Sequence, residues 1–224
     1  MAALDPLFNF DKVYCFEPVP SLADAIRKRI QSPKVKVICS ALADRDGTSN
    51  LYRAGSLAGS LFSDSPEYGE HLGTIKIQLT RASRFLAETI NEADFVRMKF
   101  NCEGSEVVVI RDLIDHGQSR LLDGALVDFD AEKIHSLSGV ADKLRTEIKN
   151  QGIRIFEPPE VQHGMITNFG GVRNWLLRSG AKVESYRTLI MSALFNLHLL
   201  ITEPRVNGYH KMRILKWLHL FQPN

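Results

Sequence analysis

Short β-rich runs alternate with helical stretches along most of this chain, and that alternation restricts it to an α/β architecture with a mostly parallel sheet. Val13-Tyr14-Cys15-Phe16 reads as a strand that stops at Glu17-Pro18. A helix is predicted from about Ser21, a good N-cap, because Leu22, Ile26 and Ile30 fall at i, i+4 and i+8 on one face. Pro33 ends it. Val35, Val37 and Ile38 predict a second strand, Ala41-Leu42-Ala43-Asp44 leads into a turn at Asp46-Gly47, and residues 49–53 suit a further extended piece. Residues 54–73 are rich in Gly and Ser and predict a long surface loop.

Ile75, Ile77 and Leu79 alternate with polar residues, as in a half-buried strand, and Phe85, Leu86 and Ile90 mark a short helix from Ser83. Residues 95–100 form the next predicted strand. The run Val107-Val108-Val109-Ile110 is β-branched, yet Val107, Ile110 and Ile114 are spaced as on a helix, so a helix ending at Gly117 is expected. Residues 125–129 read as a strand. Val140, Leu144 and Ile148 predict a helix closed near Gly152. Residues 153–156 are the last clear strand, stopped by Pro158-Pro159, and Gly170-Gly171 reads as a turn. Ligands of such folds bind beyond the carboxyl ends of the strands. Glu17, Asn101 with Glu103, Asp130 and Glu157 all stand at predicted strand ends, so a polar crevice is expected there.

Composition narrows the function classes. Lys and Arg number 28 against 26 Asp and Glu, a formal charge of +2, which gives no basis for generic nucleic-acid binding. A length of 224 residues suits one α/β domain, placed at residues 1–180, with a helical appendage at 181–224. Cys15, Cys39 and Cys102 are widely spaced beside apolar runs and read as free thiols of a reducing, cytoplasmic setting. The N-terminus has no basic n-region before an apolar core, and the apolar run 189–201 is short for a membrane span. His71 and His163 lie in predicted loops without a partner at metal-ligand spacing, so no metal site is expected. No nucleophile elbow, P-loop or dinucleotide fingerprint is present.

Glu17 is the most informative single residue. A carboxylate at a strand end can accept hydrogen bonds from both hydroxyls of a ribose, or it can answer the positive end of the following helix. Position alone supports both readings equally. The surrounding run, Val13-Tyr14-Cys15-Phe16-Glu17-Pro18-Val19-Pro20, resembles the second-strand motif of the FkbM-type family of S-adenosylmethionine-dependent methyltransferases. Ala41-Leu42-Ala43-Asp44 with Gly47 resembles that family's stretch after the third strand. Gly59-Ser60-Leu61 resembles its Gly-Ser-Ser-Leu-like loop segment. Lys99-Phe100-Asn101-Cys102-Glu103-Gly104-Ser105-Glu106 resembles its Lys-Ile-Asp-x-Glu-Gly-Ala-Glu signature. The four segments occur in the family's order and cover roughly residues 13–130.

The resemblance implies a Rossmann-like methyltransferase sheet and S-adenosylmethionine as cofactor, with Glu17 on the ribose and Ser40 and Ala41 close to the adenine. It departs from the family twice. Asn101 stands where the signature has Asp, which keeps hydrogen bonding but removes a charge. The family's first strand and Gly-rich loop should precede Val13, where only twelve residues stand, so an incomplete N-terminus is expected. Methyl transfer to oxygen needs alignment and removal of a proton. Glu103 and Asp130 are candidates for the latter by position, Glu103 being preferred, with Asn101 beside it. Each also reads as a helix-terminal or surface group, and Lys99 either orients an anionic or hydroxyl group or faces solvent.

Three functions follow as expectations. The first is S-adenosylmethionine-dependent O-methylation of a sugar or small-metabolite hydroxyl. The second is an inactive or truncated module of the same fold that binds a ligand or partner. The third is a scaffold for peripheral membrane or protein contact through the C-terminal segment, where Ile214, Leu215, Trp217, Leu218 and Phe221 form an apolar stripe beside Arg205, Lys211, Arg213 and Lys216.

Overall fold

The computed structural model describes residues 8, 10–55, 59–66, 73–162 and 168–180. The chain divides into two units, residues 11–158 and residues 1–10 with 159–224. Residues 181–224, the expected helical appendage, lie outside the described residues. The C-terminal stripe, the 189–201 run, His71 and His163 lie outside the described residues.

In the first unit, β1 (Val13–Phe16) is followed by α1 (Pro20–Arg29) and by β2 (Val35–Ile38), which pairs with β1 in parallel. The cap stands two residues before the predicted Ser21: Val19 is the cap and Pro20 the first helical residue. Proline is favoured there because its φ is preset and the missing N–H has no partner in a first turn. Ala41–Ala43, expected to lead into a turn, is instead a strand, β3. It pairs in parallel with β5 (Ile75–Arg81), whose other edge takes β4 (Gly47–Leu51) antiparallel. Along β5, Ile77 and Leu79 are buried while Lys76 and Gln78 are exposed, the alternation read from the sequence. They pack with Val19, Ala43, Leu51 and Ala54 in a small apolar core.

The larger core lies under α2 (Ala82–Thr89), α3 (Glu106–Asp115) and α4 (Val140–Asn150), against the parallel ladder β6 (Arg97–Phe100), β7 (Gly124–Val127) and β8 (Ile155–Phe156). All four residues of β7 are buried, as suits a central strand covered on both faces. In α3 the helical spacing prevails over β-branching, because Val107, Val109, Ile110 and Leu113 are all buried on that backbone. Burying each such side chain contributes about 1.5–3 kcal/mol, more than the propensity loss of about 0.5 kcal/mol. The edges of Tyr14 and Phe16 meet Phe85 of α2 at 5.2 and 4.9 Å between ring centroids.

A mostly parallel α/β architecture is therefore present, with β4 as the antiparallel exception. The expected single sheet is instead three ladders, β1-β2, β3-β5-β4 and β6-β7-β8. Among the described residues, β1 pairs with β2 alone and β6 with β7 alone, and no strand joins the two ladders.

Pro158-Pro159 stops β8, as expected, and also opens a short helix, α5 (Pro158–Gln162). Gly170-Gly171, expected as a turn, lies inside α6 (Asn168–Arg178). Each helical glycine costs about 1 kcal/mol, and the burial of Trp175 and Leu176 on the same helix outweighs that. No described helix is long and apolar enough to cross a membrane.

Candidate functional site

The carboxyl ends of β1 and β2 hold the first polar group. The Glu17 N–H donates to Ile38 O (3.1 Å), which keeps the residue in line with its neighbouring strand. The Val19 N–H donates to Glu17 Oε1 (2.9 Å). Val19 has no side-chain cap of its own, so this contact closes the entrance to α1. One oxygen of Glu17 thus performs the helix-terminal role; Oε2 makes no hydrogen bond among the described residues. Both readings of Glu17 are compatible with one carboxylate. Its charge also adds to burial in raising the Cys15 thiol above its ordinary value.

Ser40 is buried, and its hydroxyl is committed inward. It pairs with Thr80 Oγ1 (2.8 Å) and donates to Gln78 O (3.1 Å), while the Ser40 N–H donates to Ile38 O (3.0 Å). Ala41 stands in register with Leu79 of β5. The Ser40 hydroxyl is thus engaged with Gln78 and Thr80 of β5.

The second group forms where β6 and β7 end. Asn101 is exposed, and the chain then turns through two left-handed residues, Glu103 at φ +48° and Gly104 at φ +99°. Glycine is required at the second position for space as well as for φ. A Cβ on Gly104 would stand 2.1 Å from Ile134 Cδ1. Glu106, at the first turn of α3 and wholly buried, accepts from the Gly104 N–H at Oε2 (2.9 Å) and from the Ala131 N–H at Oε1 (2.7 Å). One carboxylate thereby binds the turn after β6 to the segment after β7. Sequence reasoning quoted Glu106 within the signature without singling it out; an acid at the start of an apolar helix was the available signal.

Around this turn, Glu103, Asp128, Asp130 and Lys133 are close enough to feel one another's charge. Lys133 pairs with Asp130. Burial and then the Asp130 charge raise the Glu103 carboxyl from its ordinary 4.5 to about 7, Lys133 opposing them. Burial and Asp130 raise Asp128 as well. Desolvation lowers the Lys99 ammonium, against the nearby Asp128 and Asp130. A carboxylate near neutrality beside one lysine is equipped to exchange a proton at pH 7. Cys102 is a poor nucleophile here, since burial pushes its thiol strongly up.

Glu157 borders this group and adds to the charge that raises Asp128, but its oxygens are engaged elsewhere. Arg145 takes both its oxygens, Nε to Oε1 at 2.7 Å and Nη2 to Oε2 at 2.8 Å, and rests on the Phe129 ring at 4.4 Å. That fork makes Glu157 a structural anchor. Among the described residues no hydrogen bond or ion pair links the Glu103 group to Glu17. A separate open cavity of about 360 Å³ lies along α3, lined by Asp44, Arg81, Arg111, Asp112 and His116 among others, and none of the predicted site residues lines it. Among the described residues no group of three or more His, Cys, Asp or Glu is arranged to hold a metal ion.

The family model described as the methyltransferase FkbM domain matches residues 7–182. No curated protein and no solved structure matches the chain significantly.

Proposed function

The chain belongs to the FkbM methyltransferase family, and from that premise we propose that it transfers a methyl group from S-adenosylmethionine to a hydroxyl of a sugar or small metabolite. The observation that carries the oxygen acceptor is the Glu103 turn, which holds a carboxyl of pKa about 7 at the end of β6. When bound, the cofactor supplies a methyl group already activated on its sulfonium. The residues present fit its ribose end, because Glu17 keeps one acceptor oxygen while the other closes α1. Two charge-assisted hydrogen bonds from ribose hydroxyls to that carboxylate would each contribute about 1.5–3 kcal/mol. Ser40 and Ala41 would bound the adenine side through backbone and apolar atoms.

Glu103 takes the proton of the acceptor hydroxyl at its carboxylate, and its raised value brings it near the best range for a base at neutral pH. Asn101, exposed beside it, orients the hydroxyl by hydrogen bonding without adding a second charge. Asp130 keeps Lys133 in place, and the pair maintains the field that tunes Glu103.

Isothermal titration with S-adenosylhomocysteine tests the cofactor half: one-to-one binding is expected, and Glu17→Ala should weaken it by about 100-fold or more. Absence of binding by the folded wild type would overturn the reading. Methyl transfer to a panel of hydroxyl acceptors, lost in Glu103→Gln with cofactor binding intact, tests the acceptor half.

A further inference from the structure

Residues 59–66 are fastened to the core at several separate points, and one of these is the backbone of Glu103. Ser60 is wholly buried. Its hydroxyl donates to Glu103 O (2.6 Å) and accepts from the Phe62 N–H (3.1 Å). Its backbone exchanges two hydrogen bonds with Tyr52, at 2.8 and 3.1 Å. The next residue, Arg53, is buried at φ +51° and reaches over the segment, donating to Phe62 O (2.8 Å), Ser63 O (3.1 Å) and Ser65 Oγ. Asp64 accepts from the Ser136 N–H (2.7 Å) and hydroxyl (3.0 Å), just beyond the Asp130–Lys133 turn. Phe62 Cδ2 lies so near Gly104 that a Cβ there would be 3.3 Å from it.

Glu103 adopts a backbone conformation that non-glycine residues seldom occupy, and such conformations persist only where the surroundings over-determine them. Ser60 is the one side chain that grips the Glu103 carbonyl among the described hydrogen bonds. We propose that residues 59–66 are a strap whose Ser60 hydroxyl positions Glu103, fixing its left-handed turn so that the carboxyl stands among Asp128, Asp130 and Lys133. This deepens the reading of Glu103 as the base and rests on it for its catalytic meaning. Ser60 is a positioning residue, acting through Glu103 and not on the substrate.

Carboxyl-carbon NMR of the full chain reads the proposal without any turnover. In Ser60→Ala the Glu103 midpoint should fall by about one pH unit toward the ordinary value, because a released turn lets water reach the carboxyl. Asp64→Ala removes the far anchor of the strap at an exposed site, and should move the midpoint the same way by a smaller amount. In methyl transfer, the acid limb of the pH–rate profile should shift with the midpoint, with KM for the cofactor unchanged and kcat reduced about tenfold. A folded Ser60→Ala protein with an unchanged Glu103 midpoint overturns the proposal. Should Ser60→Ala not fold, an unchanged midpoint in Asp64→Ala overturns it equally. If the wild type transfers no methyl group, the functional reading fails while the midpoint shifts still decide the strap.

Discussion

Two opposing influences meet at the carboxyl of Glu106, and replacing it by glutamine measures which prevails. Complete burial disfavours the charged form, while the Gly104 and Ala131 N–H groups favour it. Burial wins, raising the group from 4.5 to about 7. The folded state therefore holds a proton that the unfolded chain releases through this window. Stability from this group is complete below pH 4.5, falls as pH rises to about 7, and is level above that. At about 1.4 kcal/mol per pH unit, that interval amounts to about 3 kcal/mol. Glutamine has the same shape and cannot ionise. It still offers one carbonyl oxygen, but its NH2 confronts the second backbone donor, at a cost of about 1 kcal/mol. Glu106→Gln should accordingly be about 1 kcal/mol less stable than wild type at pH 4 and about 2 kcal/mol more stable at pH 8. Urea unfolding of both proteins at half-unit intervals reads this, and taking the difference removes the contribution of every other titrating group. A gap independent of pH, or one that grows in favour of wild type as pH rises, would refute the reasoning and make the two N–H donors the stronger influence.

Other perturbations test neighbouring parts of the fold. Gly104→Ala combines a forbidding φ of +99° with a Cβ 2.1 Å from Ile134 Cδ1, and should cost about 2–4 kcal/mol; adding Ile134→Ala relieves the clash but leaves the backbone strain, so thermal unfolding should show partial recovery. Asp112 is buried and accepts from the Ser83 N–H (2.7 Å) and Arg81 Nε (3.0 Å), so Asp112→Asn should lose about 2–4 kcal/mol, seen as a lower urea midpoint with an unchanged slope. Arg145→Lys retains the charge but not the fork on Glu157 or the stacking on Phe129; a loss of about 1 kcal/mol that shrinks in 1 M salt is expected in chemical unfolding.

The elements most legible in the sequence were those whose burial follows one period. Ile77 and Leu79 on β5, and Leu144 and Ile148 on α4, declare their faces because one side of each element is wet. Gly170-Gly171 misled because local preference is about 1 kcal/mol per residue, whereas packing of Trp175 and Leu176 on the same helix is worth more. Ala41–Ala43 concealed a strand, since alanine has no β preference and its pairing is decided by β5, more than thirty residues later. At the site, the types and positions of Glu17 and Glu103 were readable because strand ends are readable. The inward commitment of the Ser40 hydroxyl, the capture of Glu157 by Arg145 and the anchoring task of Glu106 were not, because each depends on a partner remote in sequence.

The division of the strands into separate ladders has a thermodynamic consequence for any ligand held by Glu17. Every residue of β1 is partly exposed, whereas every residue of β7 is buried. Short, partly solvated ladders open at low free energy and interior ones only with the whole fold. Amide exchange should accordingly be fast in β1 and β2 and slow in β7. A ligand on Glu17 binds the closed form of the weaker ladder, so its affinity is coupled to that local opening, and saturation should slow exchange in β1 and β2 while leaving β7 unchanged.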